Sequence, residues 1–167
     1  MDQFIFVVTM IAALGAALLA GNFFAFSTYL MRALGGLSAE RGIVAMQAIM
    51  LAIRAPVFLV LFFGTAVLAA VLAGIASLNH GAPGTCYLLA GSLVFLVGTF
   101  CVTMLRNVPL NRALIRTTPG SKEGREMWKR FQSSWGIWNY VRTLTSLVAC
   151  AFLIMALIDS GNPFGAQ

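Results

Sequence analysis

Four long stretches without a charged residue decide what this chain can fold into. They run from Phe4 to Leu30, Pro56 to Leu78, Tyr87 to Leu105 and Thr143 to Ile158. A helix needs roughly 17–25 apolar residues to cross the ~30 Å hydrocarbon layer of a bilayer. The first three stretches suffice alone, and the fourth does once it extends back toward Trp138. Inside lipid, only helices and closed barrels satisfy their backbone hydrogen bonds, and the apolarity here is continuous rather than alternating. The expectation is an all-α fold, a four-helix transmembrane bundle forming a single domain over residues 1–167. Its spans fall at about 4–30, 56–78, 87–105 and 140–158. Only 10% of residues are charged, against about 25% in an average soluble domain. Asp2 stands where a signal peptide has a basic region, and the first run is too long for one, so that span is expected to be retained.

Charge then sets an expected orientation. Arg32, Arg41 and Arg54 lie between spans one and two. Arg106, Arg112, Arg116, Lys122, Arg125, Lys129, Arg130 and Arg142 lie between spans three and four or at the start of span four. Together these are all eleven lysines and arginines of the chain. By the positive-inside rule the two basic loops face the cytoplasm and both termini face outside. The membrane expected is a bacterial inner (plasma) membrane. The net charge of +6 then reflects topology and contact with anionic membrane lipid, so no nucleic acid is expected as a partner.

Cys86, Cys101 and Cys150 form no CxxC pair and are expected to be small buried hydrophobes. The single histidine, His80, sits in the short loop "NHGAPG" and is expected to be a loop residue. No metal and no cofactor is expected.

Two small-residue rows in span one, Ala12, Ala16, Ala20 and Ala13, Ala17, Gly21, read as close helix-packing faces. Ser38 is a good N-cap, and a helix starting there and running on to Leu78 would have about 40 residues and span ~60 Å. Its first part is expected to project into the cytoplasmic interface, with Pro56 kinking the junction. Ser121 is expected to cap a second cytoplasmic helix that continues into span four. Along it Trp128, Phe131, Trp135, Trp138 and Arg142 share one face. An interfacial aromatic belt is the expectation for Trp128 and Phe131. For Trp135 and Trp138, beside Asn139 and Arg142, belt and pocket wall stand as equal readings.

The uncharged polar residues near membrane depth gather toward the expected cytoplasmic ends. They are Asn22 and Ser27 in span one, Gln47 before span two, Asn107 and Asn111 after span three, and Asn139 with Thr143 entering span four. Unpaired polar groups cost several kcal/mol inside a bundle, so these need partners or a ligand. The local alternative for "NVPLN" is a cap: Asn107 starts a helix whose first turn tolerates Pro109. That leaves Asn111, one turn on, unexplained. Replacing Asn111 or Asn139 by alanine is expected to disturb a ligand more than folding.

"NVPLN", then Trp135, then "WNYVRT" resemble the paired signature of the anthrone oxygenase-like integral membrane family. "FFAFSTYLMRAL" and "GIVAMQAIMLAIRAPVF" extend the similarity over about Phe23 to Leu147. The resemblance implies a four-helix membrane protein and, in some fungal members, oxygenation of an anthrone to the anthraquinone. The matching positions are Asn107, Asn111, Trp135, Asn139, Arg142 and Thr143, followed by Gln47 and Ser27. One departure is Met50, where the pattern "MQxIN" has an asparagine.

That chemistry needs an apolar slot for flat rings and donors for an enolate oxygen. Trp135 and Trp138 suit the slot; Arg142, Asn139 and Asn107 suit the donors. A general base must reach the proton directly or through one water, and none is evident. The expected function is therefore a cytoplasmic-side pocket for a lipophilic small molecule, as a cofactor-independent oxygenase. The alternative is a non-catalytic module binding a lipid or small molecule. A transporter ranks below both, because paired broken repeats are not visible; with four spans it would need a homo-oligomer, and oligomeric state is left open.

Overall fold

The computed structural model describes residues 2–161, and among them every regular element is a helix. In chain order these are α1 (Gln3–Gly35), α2 (Ala39–Ala52), α3 (Pro56–Leu78), α4 (Thr85–Ile115) and α5 (Lys122–Asp159). All but α2 are long and apolar enough to cross a membrane. Met1 and residues 162–167, on which the expected outward placement of the termini partly falls, lie outside the described residues.

The four long helices pack in sequence order, α1 on α3, α3 on α4, α4 on α5, and α5 back on α1. That is an up-down-up-down bundle of the expected class. Large apolar side chains such as Leu18, Val57, Val60 and Leu144 project outward, while alanines and hydroxyls share the interior with Leu19, Leu72, Phe95 and Leu153. An apolar outer face suits lipid, where association rests on close backbone approach and interhelical hydrogen bonds. Ala12, Ala16 and Ala20 are buried as the first small-residue row requires. Of the second row only Ala13 is; Ala17 and Gly21 face outward. Where α4 meets α5, the hydroxyl of Thr99 bonds those of Thr145 (3.0 Å) and Ser146 (2.9 Å).

The turn 79–84 joins α3 to α4, and His80 is exposed in it. Gly84 adopts φ +79°, and an added Cβ would sit 2.6 Å from the Ala156 carbonyl oxygen, so glycine is required there. Its N–H donates to Asp159 Oδ2 at 2.6 Å, tying the last turn of α5 to the first of α4.

The opposite end, where α1 and α4 stop and α3 and α5 start, carries the basic residues and a second core. Phe26, Leu34, Ile43, Met46, Met50, Leu114, Trp128, Phe131 and Trp135 form it. Trp128 and Phe131 are thus core residues, 3% and 0% exposed, and not a belt. Their rings stack 5.9 Å apart, and Phe131 stacks on Trp135 at 5.4 Å. The reason is α2, which closes over the aromatic face of α5 and removes it from the surface.

The single helix expected from Ser38 to Leu78 is two. Ser38 does cap α2, accepting from Arg41 N at 3.5 Å. But Ala55 is extended (ψ 139°), the conformation that proline imposes on the residue before it. Pro56 therefore starts α3 instead of kinking a continuous helix. Ser121 caps α5, accepting from Gly124 N at 2.8 Å, and α5 runs unbroken to Asp159. The cysteines are free, and Cys86 and Cys101 are exposed on the outer surface of α4, not buried; in a membrane bundle the outward face is the apolar one.

Candidate functional site

One face of α5 builds the floor of a site. Trp135, Asn139, Arg142, Thr143 and Ser146 are all buried, at the three- and four-residue steps that stack side chains on one side of a helix. Arg142, 5% exposed, is held by neutral groups. Its Nη2 donates to Asn139 Oδ1 at 2.6 Å and its Nη1 to Thr103 Oγ1 at 3.4 Å. Its guanidinium lies 4.2 Å from the ring centre of Phe23 and 5.3 Å from that of Trp135. Such desolvated cation–π contacts are each worth ~2 kcal/mol. Among the described residues no carboxylate pairs with Arg142, and its Nε has no hydrogen-bond partner.

Widened helical turns bring the supporting groups into place. In α1 the segment Phe26–Leu30 is π-helical. Beside it the Phe23 carbonyl accepts from Asn139 Nδ2 (2.7 Å) and the Ser27 carbonyl from the Tyr140 hydroxyl (2.6 Å). Asn139 Nδ2 also donates to Ser27 Oγ at 2.7 Å, and Ser27 meets Thr143 Oγ1 at 3.2 Å. In α4 two further π segments, Phe95–Cys101 and Thr103–Asn107, precede Pro109. Proline lacks an N–H and crowds the carbonyl four residues back; a wider turn relieves both, and π turns recur at functional sites. Thr103 sits in the second of them, and its hydroxyl donates to the Thr99 carbonyl at 2.7 Å.

Above Arg142 is a cavity of about 220 Å³. A single water needs only ~10–15 Å³ by the same measure, so the space admits a compact ring system. Each helix contributes to its wall: Asn22, Phe23 and Phe26 from α1, Met46, Ile49 and Met50 from α2, Phe58 to Phe63 in part from α3, Thr103, Met104, Val108 and Asn111 from α4, Trp135 and Arg142 from α5. The wall is mostly apolar, with Asn22 Nδ2, Asn111 Oδ1, Trp135 Nε1 and Arg142 Nε buried without partners. Each such group costs ~1–3 kcal/mol unless something satisfies it.

The expected site residues therefore divide. Asn22, Asn111, Trp135 and Arg142 line the cavity. Asn139 stands behind Arg142 and holds it, while Ser27 and Thr143 brace Asn139 in turn. Gln47 is elsewhere: its Nε2 donates to the carbonyls of Leu114 (2.9 Å) and Thr117 (3.0 Å), closing the C-terminal end of α4. Trp138 lies outside the cavity wall under Arg106, whose guanidinium is 4.9 Å from its ring. Asn107 is fully buried but makes no cap; its backbone is already helical (φ −76°, ψ −42°), and Nδ2 reaches across to the Trp135 carbonyl at 3.3 Å. The departure at Met50 falls on the cavity wall. Sequence reasoning missed Thr103, Arg54 and the α2 wall; Thr103 was hidden in an apolar run with nothing to mark it. Among the described residues no three of His, Cys, Asp and Glu come together as a metal site.

The family described as anthrone oxygenase matches residues 58–152, which carry Thr103, Asn111, Trp135 and Arg142 but neither α1 nor α2. None of the curated proteins matches the chain, and no solved structure does. Matched over more than half its length by that family, the chain belongs to the anthrone oxygenase family.

Proposed function

We propose that the cavity binds a flat, lipophilic, weakly acidic aromatic and that the protein oxygenates it without a cofactor, as an anthrone oxygenase. The observation that carries this reading is the buried guanidinium of Arg142, which lines an apolar cavity and has no carboxylate partner among the described residues. A buried cation without a counter-ion is strongly disfavoured unless an anion joins it. An anthrone offers one: loss of a proton from its central CH2 gives an enolate whose charge rests mainly on oxygen. Arg142 and Trp135 line the cavity and carry unpartnered buried donors, Nε and Nε1, while Phe23, Phe26 and Phe62 supply apolar faces for the rings.

The reaction balances with O2 as the oxidant. The enolate carbon passes one electron to O2, and the two radicals combine into a C–O bond. Protonation gives a hydroperoxide. Loss of the remaining C–H proton then expels hydroxide as the O–O bond breaks, so CH2 and O2 become C=O and H2O. Arg142 stabilises the first anion, the kind of preorganised electrostatic assistance that commonly dominates catalysis. Among the described residues no Asp, Glu or His lines the cavity, so the first proton leaves to water at the cavity's Arg54 edge.

The same lack of an acid–base group favours a second reading, a non-catalytic binder of a lipophile or lipid. The two separate by native mass spectrometry of protein extracted gently from its own membrane. A retained polycyclic phenol that is oxidised on admission of air supports the oxygenase; a retained phospholipid would replace it with the binder.

In this proposal the basic end, and the cavity with it, faces the cytoplasm, supported by the placement of all eleven Lys and Arg residues. Cysteines introduced at Asn79 and Ser121 test it. An impermeant thiol reagent added outside intact cells labels the first; labelling of the second instead would reverse the orientation.

A further inference from the structure

Four of the residues that line the cavity are themselves exposed: Arg54, Leu59, Phe63 and Met104. None of the lining residues from α1, α2 or α5 is. The exposed part of the lining therefore lies along one edge, between the first turns of α3 and the stretch of α4 around Met104. Helix packing agrees. α3 rests on α4 along Thr85–Cys101, but the two part company beyond it, where α4 carries its second π segment. Leu59, Phe63 and Met104 are 41%, 44% and 38% exposed and wholly apolar. Around them Val57, Val60 and Leu105, 81%, 72% and 71% exposed, continue the apolar outer band. Arg54 alone marks a polar border, at the turn before Pro56.

We propose that this gap is a lateral portal through which the cavity exchanges its ligand with the hydrocarbon of the membrane, so the ligand arrives uncharged and lipid-dissolved. The proposal rests on the reading of the cavity as a ligand pocket. A rim of Leu59, Phe63 and Met104 offers nothing to replace the hydration of an ion, which is costly to lose. A neutral aromatic with an acidic C–H or O–H passes it freely and, beyond Arg54 at the border, meets a buried cation only at Arg142. The portal thus selects by polarity before the pocket selects by shape, and it excludes charged conjugates of the same ring system.

Access is a kinetic property, so the test is a rate. In protein with Cys86, Cys101 and Cys150 replaced by alanine, Met50→Cys puts one thiol on the cavity wall; Thr103→Cys is the second variant if the first fails to fold. Both are labelled in nanodiscs, where each face meets buffer, with N-phenylmaleimide and with its sulfonated analogue, each rate divided by that on glutathione. The portal requires N-phenylmaleimide to react about tenfold faster or more, a barrier difference easily resolved. It also requires Met104→Trp to slow that reaction about tenfold while labelling of a protein retaining only Cys86 is unchanged. Equal rates for the two reagents, or indifference to Met104→Trp, would overturn the portal. Binding of anthrone to the wild type is measured separately: the labelling pattern without anthrone binding keeps the portal and removes the ligand reading, and the reverse does the opposite.

Discussion

Arg142 draws its position from Asn139, and Asn139 shows how a side chain expected to matter more for a ligand than for folding can serve instead as a buried joint. It is 0% exposed, and its amide links α5 to α1 through the Phe23 carbonyl and Ser27 while its oxygen holds Arg142. Asn139→Ala removes all three bonds and leaves a buried cation short of an acceptor, at ~1–3 kcal/mol for each group left unpaired. We expect a clearly lower melting temperature in detergent, contrary to the greater effect on ligand than on folding that the sequence suggests. Asn111→Ala, at the half-buried cavity wall, is expected to melt within the error of wild type and to bind ligand more weakly. An unchanged melting temperature for Asn139→Ala would contradict the joint. The sequence made the cluster legible, since polar residues in apolar helices are few. It could not separate lining from support, because Trp138 and Trp135 differ by less than one helical turn and only the neighbouring helices decide which is enclosed.

At the level of elements, α2 is both a wall of the cavity and the cover of the aromatic core. It sits close to α5 because Gly42 lacks a side chain: an added Cβ would lie 2.7 Å from Trp128 Cζ2 and 3.1 Å from the Leu34 carbonyl oxygen. Gly42→Val is therefore expected to displace α2, destabilise the protein by about 1–3 kcal/mol, and expose Trp128 to an aqueous quencher. Fluorescence of a variant retaining Trp128 as its only tryptophan measures this; unchanged quenching would mean α2 does not depend on that contact. The cap residues Ser38 and Ser121 and the apolar runs made most helices readable in advance. Two features were not. Pro56 has the same local signature whether it kinks a helix or begins one, and of the three π segments only Thr103–Asn107 has a proline close behind it to mark the wider turn.

For the whole molecule, the division of labour runs along the bundle axis. One end is held by small residues and the Asp159–Gly84 bond; the other is spread by α2, the π turns and Pro109 into a cavity with a buried guanidinium at its base. The charge pattern foretold which end is basic, but the cavity exists only where α3 and α4 diverge, a property of packing that no stretch of sequence carries. The central claim is that Arg142 holds an oxyanion formed in that cavity. Its most direct test is to bind anthrone to the protein in nanodiscs without oxygen, record the long-wavelength absorption of the enolate, and then admit air. The account predicts an enolate band with wild-type protein and anthraquinone formation above the protein-free rate. It also predicts loss of the band in Arg142→Gln, with a rate about 10²-fold lower. An Arg142→Gln protein that folds, shows the same band and turns over at the wild-type rate would contradict it.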